Sequence, residues 1–181
     1  MKPVHDSDEW LMAQVALGSR EHFSPLLHRY ANPLLTFIQR MTGNRHLAEE
    51  LFQEVFLTVW IKSRQYQHPR PFRPWLFGIA AKKCLADYRR HRREVHLGIV
   101  AAAESRHCSP ADAAVATERA EIVKRVLARL TDAQRTVVVL RIWNDLPYSE
   151  IAEVVGRTES TVRSHMFHAL TTMRRALEPR L

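Results

Sequence analysis

Ten histidines and two cysteines, Cys84 and Cys108, are the side chains of this 181-residue chain best suited to metal or redox chemistry. Their spacing builds no site. His107 precedes Cys108, but there is no HExxH, no CxxC pair and no cluster of carboxylates of the kind a metal centre needs. A nuclease or redox enzyme is therefore disfavoured against structural histidines and a lone buried Cys84. No catalytic residue, metal or cofactor is assigned.

A second chemistry lies in Gln65-Tyr66-Gln67-His68-Pro69-Arg70-Pro71-Phe72-Arg73-Pro74-Trp75. The prolines keep this stretch stiff and out of helix. Tyr66, Phe72 and Trp75 interleave with Arg70 and Arg73, and a nucleic-acid single strand needs this mixture: bases stack on rings while cations follow the phosphates. Lys82, Lys83, Arg89, Arg90, Arg92 and Arg93 follow on a basic helix suited to backbone contact. The competing reading folds Phe72 and Trp75 under the loop as core, since Trp is largely buried in most proteins.

A third pattern mixes acid with hydrocarbon. Between residues 45 and 62, Ala48, Leu51, Phe52, Val55 and Val59 form one apolar stripe of a helix. Glu50, Glu54, Leu57 and Ile61 recur at i, i+4, i+7 and i+11, with Gln53 alongside, and form another. An acidic rim around apolar spots suits a protein interface. The alternative is a helix buried on two sides within its own domain.

The fourth pattern lies near the C-terminus, where Pro147-Tyr148-Ser149-Glu150-Ile151-Ala152-Glu153-Val154-Val155-Gly156-Arg157-Thr158 joins a short helix to a longer one through a glycine turn. This is the helix-turn-helix arrangement, with small Ala152 permitting close approach. On the second helix Val162, Met166, Ala169, Leu170, Met173 and Leu177 share the inward face. Ser160, Arg163, Ser164, Phe167 and His168 then point outward, near the helix start that meets base edges, and Arg163 is the residue suited to guanine or a phosphate. A plain helical hairpin is the alternative.

The elements that must position these groups follow from composition and punctuation. Only five glycines occur, too few for phosphate-cradling loops or many-stranded sheets, so an all-α protein is expected. The longest apolar runs, at 99–103 and 137–140, fall far short of the ~20 residues that span a bilayer. Lys2 followed by Asp6, Asp8 and Glu9 is not the start of a signal peptide, and two cysteines fit a reducing compartment, so a cytoplasmic location is expected. The net charge of +8 is unevenly placed: residues 1–93 carry +7, residues 94–117 carry −2 and residues 118–181 carry +3. The Ala-rich middle block, with Ser105, Ser109 and Pro110, reads as a flexible linker between two small helical domains, the second a helix-turn-helix (winged-helix-like) DNA-binding domain. Ser7 and Ser19 are expected to cap the first two helices, with Pro25 and Pro33 bending or breaking the second. Asn44 is expected to cap a third helix, and a fourth should run from near Phe72 to Arg93. Thr131 and Gln134 form a capping box for a helix burying Val137, Val138, Leu140 and Ile142, and Thr158 opens the last helix.

Three of these segments in this order carry a resemblance. Ala48-Glu49-Glu50-Leu51-Phe52-Gln53-Glu54-Val55-Phe56, then Trp75-Leu76-Phe77-Gly78-Ile79-Ala80 with its arginine cluster, then Tyr148-Ser149-Glu150-Ile151-Ala152 with Thr161-Val162, resemble the extracytoplasmic-function (ECF) sigma factors of bacterial RNA polymerase. The resemblance spans residues 9–177. It implies a subunit without chemistry of its own, whose first domain binds the clamp helices of the polymerase largest subunit and melts and reads the −10 element. The second domain is implied to bind the β flap and read the −35 element of promoter DNA. By position, Glu50, Gln53 and Glu54, flanked by Leu57 and Ile61, fall to core polymerase. Tyr66 to Trp75 and the helix through Lys82 and Lys83 fall to the opened strand. Arg157, Thr158, Ser160, Thr161, Arg163, Ser164, Phe167 and His168 fall to the duplex. An anti-sigma partner is implied as well. The chain departs from the family pattern in having Glu50 where Asp is usual, Lys82 and Lys83 where Asn is common, and His165 and His168 where Arg is frequent. A polymerase-independent helix-turn-helix regulator is the alternative function, and the acidic-apolar stripe argues against it.

Overall fold

The computed structural model describes residues 7–97 and 118–178. Among them are eight α-helices, one 3-10 turn and no strand: α1 (Asp8–Ala16), α2 (Phe23–Thr42), α3 (Arg45–Ile61), the 3-10 turn (Ser63–Gln65), α4 (Phe72–His96), α5 (Glu118–Ala128), α6 (Asp132–Ile142), α7 (Tyr148–Val155) and α8 (Glu159–Leu177). Residues 98–117 of the expected linker, including His107 and Cys108, lie outside the described residues.

Local chemistry sets most helix ends. Ser7 Oγ accepts from Trp10 N at 3.1 Å and Asn44 Oδ1 from Leu47 N at 3.1 Å, each satisfying an amide that the first turn leaves unpaired. Thr131 and Gln134 make the reciprocal capping box, and Thr158 Oγ1 accepts from Thr161 N at 3.3 Å. Gly43 at φ 68° and Gly156 at φ 65° supply the left-handed residue that ends α2 and α7. Two expectations change. Ser19 does not cap α2; its hydroxyl shares a 2.6 Å hydrogen bond with His22 Nδ1, and the helix begins at Phe23. Neither Pro25 nor Pro33 ends α2. Pro25 sits in the first turn, where its missing N–H has no helical partner to lose, and Pro33 is carried inside a helix that continues to Thr42. Helix α4 also runs past Arg93 to His96, because Arg90 pairs with Asp87 at 2.6 Å and reaches Glu94 at 4.0 Å, ties across its last turns.

Helices α1 to α4 and α5 to α8 form two helical units whose buried side chains join in one continuous core. Phe37 of α2 and Phe77 of α4 meet edge to face at 5.4 Å, both fully buried. Val137 to Leu140 of α6, Ile151 of α7 and Val162 of α8 fill the second unit. Helix α4 packs along α7, and α2 against α6. The seam between the units is partly polar: Arg135 donates to Met41 O at 3.1 Å, Asn144 Nδ2 donates to Pro33 O at 3.1 Å, and the Arg40 guanidinium stacks 4.2 Å from the Trp143 ring centroid. Burial there holds the Arg40 pKa below its ordinary value.

The inward faces differ from the sequence expectation at three positions. Ile142 is exposed while Val139 is buried, and Leu170 and Leu177 are also exposed. Val162, Met166 and Ala169 alone are buried on α8, with Met173 half-buried against the core; Leu170 lies toward the edge of that stripe at 100° per residue.

Candidate nucleic-acid interface

The outer face of α3 carries the acidic-apolar stripe. Glu50, Gln53 and Glu54 are exposed, and Leu57 and Ile61 remain 59% and 67% accessible. Ala48, Leu51, Val55 and Val59 are buried on the opposite side, together with Phe56. A helix sunk on both sides is thereby excluded. The inner face is broad because Phe23 packs edge to face on Phe56 and Trp60 at 6.0 and 5.3 Å, and Phe52 on Phe56 at 5.0 Å. Glu54 Oε2 also accepts from Lys83 Nζ of α4 at 2.8 Å, so a residue from the acidic stripe and one from the basic helix are joined.

The loop into α4 arranges its rings differently from a stacking platform. Phe72 is fully buried and Tyr66 7% exposed, which corrects the expectation that both rings face bases. Tyr30, Tyr66, Phe72 and Trp75 form one cluster with centroid separations of 5.2 to 6.2 Å. A helical core lies directly below the loop, and burying an aromatic ring stabilises by roughly 1.5–3 kcal/mol, so each ring folds under. Tyr66 OH donates to Arg70 O, closing the loop on itself. Burial raises the phenol pKa values of Tyr30 and Tyr66 well above their ordinary value, Asp8 assisting at Tyr30 and Glu9 at Tyr66. Trp75 and Arg73 are half-buried, and Arg70 is exposed with Gln67, His68 and Pro71.

Two acidic residues of α1, absent from the sequence expectation, hold this region. Glu9 Oε1 accepts from the Phe72 amide at 3.2 Å, serving the start of α4, and Asp8 accepts from Arg29 at 2.7 Å and from Tyr30 OH at 2.6 Å. Further along α4, Lys82 and Arg89 are exposed and Lys83 is half-buried; Arg90, also exposed, is tied back to Asp87, which is itself buried. Arg89, Arg92, Arg93 and His96 line one shallow open groove.

The second unit presents an exposed turn and helix start. Gly156 turns the chain from α7 into α8, and Arg157 N donates back to Ala152 O at 3.0 Å. Arg157, Thr158, Ser160, Arg163, Ser164 and His168 are exposed, and Phe167 is 68% accessible with its ring 5.6 Å from that of His168. Thr161 is half-buried, its hydroxyl paired with that of Thr158 at 3.0 Å. Arg163 is held by Glu159 Oε2 at 3.2 Å and by the Tyr148 ring, 4.5 Å from its guanidinium carbon. The sequence marks Tyr148 only as part of the helix-turn-helix motif, and Glu159 only through its i, i+4 spacing to Arg163. Among the described residues no group of three His, Cys, Asp or Glu side chains is placed to hold a metal ion, and no helix is long and apolar enough to cross a membrane.

All-helical architecture, a basic helix beside an aromatic cluster and a helix-turn-helix whose outer face is exposed are features of a DNA-binding protein. Residues 26–94 match the family model for Sigma-70 region 2, and residues 120–173 that for Sigma-70, region 4. The ECF RNA polymerase sigma factor ShbA of Streptomyces griseus is 31% identical over 175 residues, covering 92% of this chain and 89% of the relative. The ECF RNA polymerase sigma factor SigW of Bacillus subtilis is 26% identical over 174 residues, covering 91% and 93%. In fold, the chain is similar to CnrH, solved in complex with the cytosolic domain of CnrY, with a TM-score of 0.75 at 23% identity over 94% of this chain and 96% of that one. It is equally similar to the sigma factor RpoE of Bartonella quintana, solved with the anti-sigma factor NepR, with a TM-score of 0.75 at 22% identity over 89% and 99%. The chain belongs to the ECF sigma factors of bacterial RNA polymerase.

Proposed function

We propose that the chain acts in the cytoplasm as an alternative sigma factor, bringing core RNA polymerase to a set of promoters while catalysing no reaction itself. Residues 1–93 form the polymerase-docking and −10 unit, residues 118–181 the −35 unit, and residues 94–117 the linker, whose first residues extend α4. The outer face of α3, with Glu50, Gln53, Glu54, Leu57 and Ile61, docks on the clamp helices of the largest subunit, and the second unit docks on the β flap. Lys82, Lys83, Arg89 and Arg90, with Arg70, Arg73 and Trp75 at the loop, carry the opened strand. Tyr66 and Phe72 support that loop from beneath. α8 enters the upstream duplex with Arg157, Thr158, Ser160, Thr161, Arg163, Ser164, Phe167 and His168. DNA opening is then driven by binding energy, because unstacked bases are held once polymerase fixes the remainder. An anti-sigma factor that covers one or both units keeps the protein from polymerase.

The observation that carries this reading is the pair of solvent-facing leucine and isoleucine side chains framed by carboxylates on α3. A regulator acting without polymerase has no use for such a face. The test is reconstitution with core polymerase. Glu54→Lys is expected to reduce capture of core polymerase at least tenfold and to abolish start sites that the wild-type chain directs. Unchanged capture, or tight specific DNA binding by the chain alone, would overturn the assignment.

A further inference from the structure

Arg163 is exposed on the reading face of α8, yet its guanidinium is not left to sample rotamers. One of its amino groups donates to Glu159 Oε2 at 3.2 Å, one turn earlier on the same helix, and its central carbon stands 4.5 Å from the centroid of the Tyr148 ring on α7. Tyr148 is itself braced. The guanidinium carbon of Arg141, at the end of α6, lies 5.1 Å from the same centroid, and Arg141 Nη1 donates to Leu146 O at 3.1 Å across the loop that leads into α7. A connected series therefore runs from the Leu146 carbonyl through Arg141 and the Tyr148 ring to Arg163, and ends on Glu159.

From this geometry we infer that Tyr148 is a positioning residue for sequence reading by α8, acting through its ring and through Arg163. The inference rests on the reading of α8 as the duplex-recognition helix. A guanidinium carries five N–H donors in a planar fork, and base-edge recognition requires that fork to arrive in one orientation. A free arginine loses much of its rotamer freedom on reaching a base. Here an aromatic face beneath the fork and a carboxylate on one edge have already restricted it, which leaves the remaining donors for the groove. The ring is what the series needs: it attracts both cations through its π face, a property that phenylalanine shares and leucine lacks.

The test uses the full chain assembled with core polymerase, selecting from promoter duplexes randomised over the upstream element. The variants are Arg163→Ala, Tyr148→Leu, Tyr148→Phe and the double Tyr148→Leu/Arg163→Ala, each checked for an unchanged melting temperature. Arg163→Ala is expected to relax preference at one or two base positions. Tyr148→Leu is expected to relax the same positions by about three- to fivefold and no others, with Tyr148→Phe restoring discrimination. The double variant should lose no more than Arg163→Ala alone, because the ring acts only through the arginine. Should Tyr148→Leu weaken all sequences equally, leave preference unchanged, or add its full effect to Arg163→Ala, the inference is overturned while the reading of α8 stands. If Arg163→Ala itself leaves every base preference intact, the reading of α8 fails and the inference with it. A Tyr148→Leu chain that melts early while Tyr148→Phe also loses discrimination would assign the ring to fold rather than to recognition, again overturning it.

Discussion

The loop before α4 and the first turns of α8 use the same residue types, aromatics beside arginines, and the structure treats them in opposite ways. At the loop, Tyr66 turns inward onto Phe72 and Trp75, and Phe72, the first residue of α4, onto Tyr30, while Arg70 is exposed and Arg73 half-buried. On α8, Phe167 stands out in solvent, and Arg163, one turn earlier on the exposed face, is held by Glu159. Composition suggests nucleic acid in both places; what separates them is whether the aromatic rings meet the core. Tyr66 and the inward face at the start of α4 lie against Tyr30 and Trp75, and the hydrophobic gain draws both rings there. A helix fixes each side chain at 100° steps, so once Val162, Met166 and Ala169 are buried, Phe167 has no inward path.

The largest expected effect that could break this contrast is on stability. Phe72→Ala is expected to destabilise the fold by about 3–5 kcal/mol, whereas Phe167→Ala should change it by less than ~0.5 kcal/mol. Urea denaturation of both variants measures the difference, and similar midpoints would erase the distinction between the two sites. On the DNA side, Arg163→Ala should weaken the upstream element by about 1–3 kcal/mol with the melt unchanged. Footprinting of the assembled holoenzyme reads this, and an undiminished upstream footprint would count against the assignment.

Alkaline titration sharpens the loop half of the comparison. Tyr30 and Tyr66 have phenol pKa values raised above that of the unfolded chain, so the folded state keeps those protons where the unfolded state loses them. Their contribution to stability is full below the ordinary tyrosine pKa of about 10 and falls as pH rises past it. Ultraviolet absorbance should show these two phenols ionising only along with alkaline unfolding. Ionisation of all four tyrosines in the folded chain near the ordinary value would refute the burial described. The smallest effect is expected at the Lys83 to Glu54 pair, which is partly exposed on both sides. A double-mutant cycle with Lys83→Met and Glu54→Gln should return a coupling under ~1 kcal/mol that salt reduces further.

Helix ends were legible in the sequence because capping is decided within four residues: Ser7, Asn44, Thr131 with Gln134, Thr158, Gly43 and Gly156 all act where their types predict. The order and type of the units were legible for a similar reason, since periodicity is local. What depends on neighbours was not. Glu9 reaches the Phe72 amide from 63 residues away, and no sequence spacing announces such a partner. Leu170 and Leu177 continue the period of the buried stripe yet are exposed, while Met173 between them is half-buried against the core. Tyr148 could be recognised as part of a motif, but the two guanidinium groups at its ring come from helices on either side of it in sequence. The exposed outer faces of α3 and α8 follow from helical angle alone, whereas the burial of Tyr66 and Phe72 depends on rings brought from elsewhere in the chain.

Arg135 gives the seam between the two units a particular character. Its guanidinium accepts no bonds but donates to Leu127 O at 3.0 Å and Leu130 O at 3.3 Å, at and just beyond the end of α5, and to Met41 O at 3.1 Å in the last turn of α2. Helix ends leave such carbonyls unpaired, and here one side chain terminates two helices that belong to different units. Arg135 thus holds the end of α5 within its own unit and the end of α2 across the seam with a single planar fork, so one side chain serves as a helix stop on both sides of the joint.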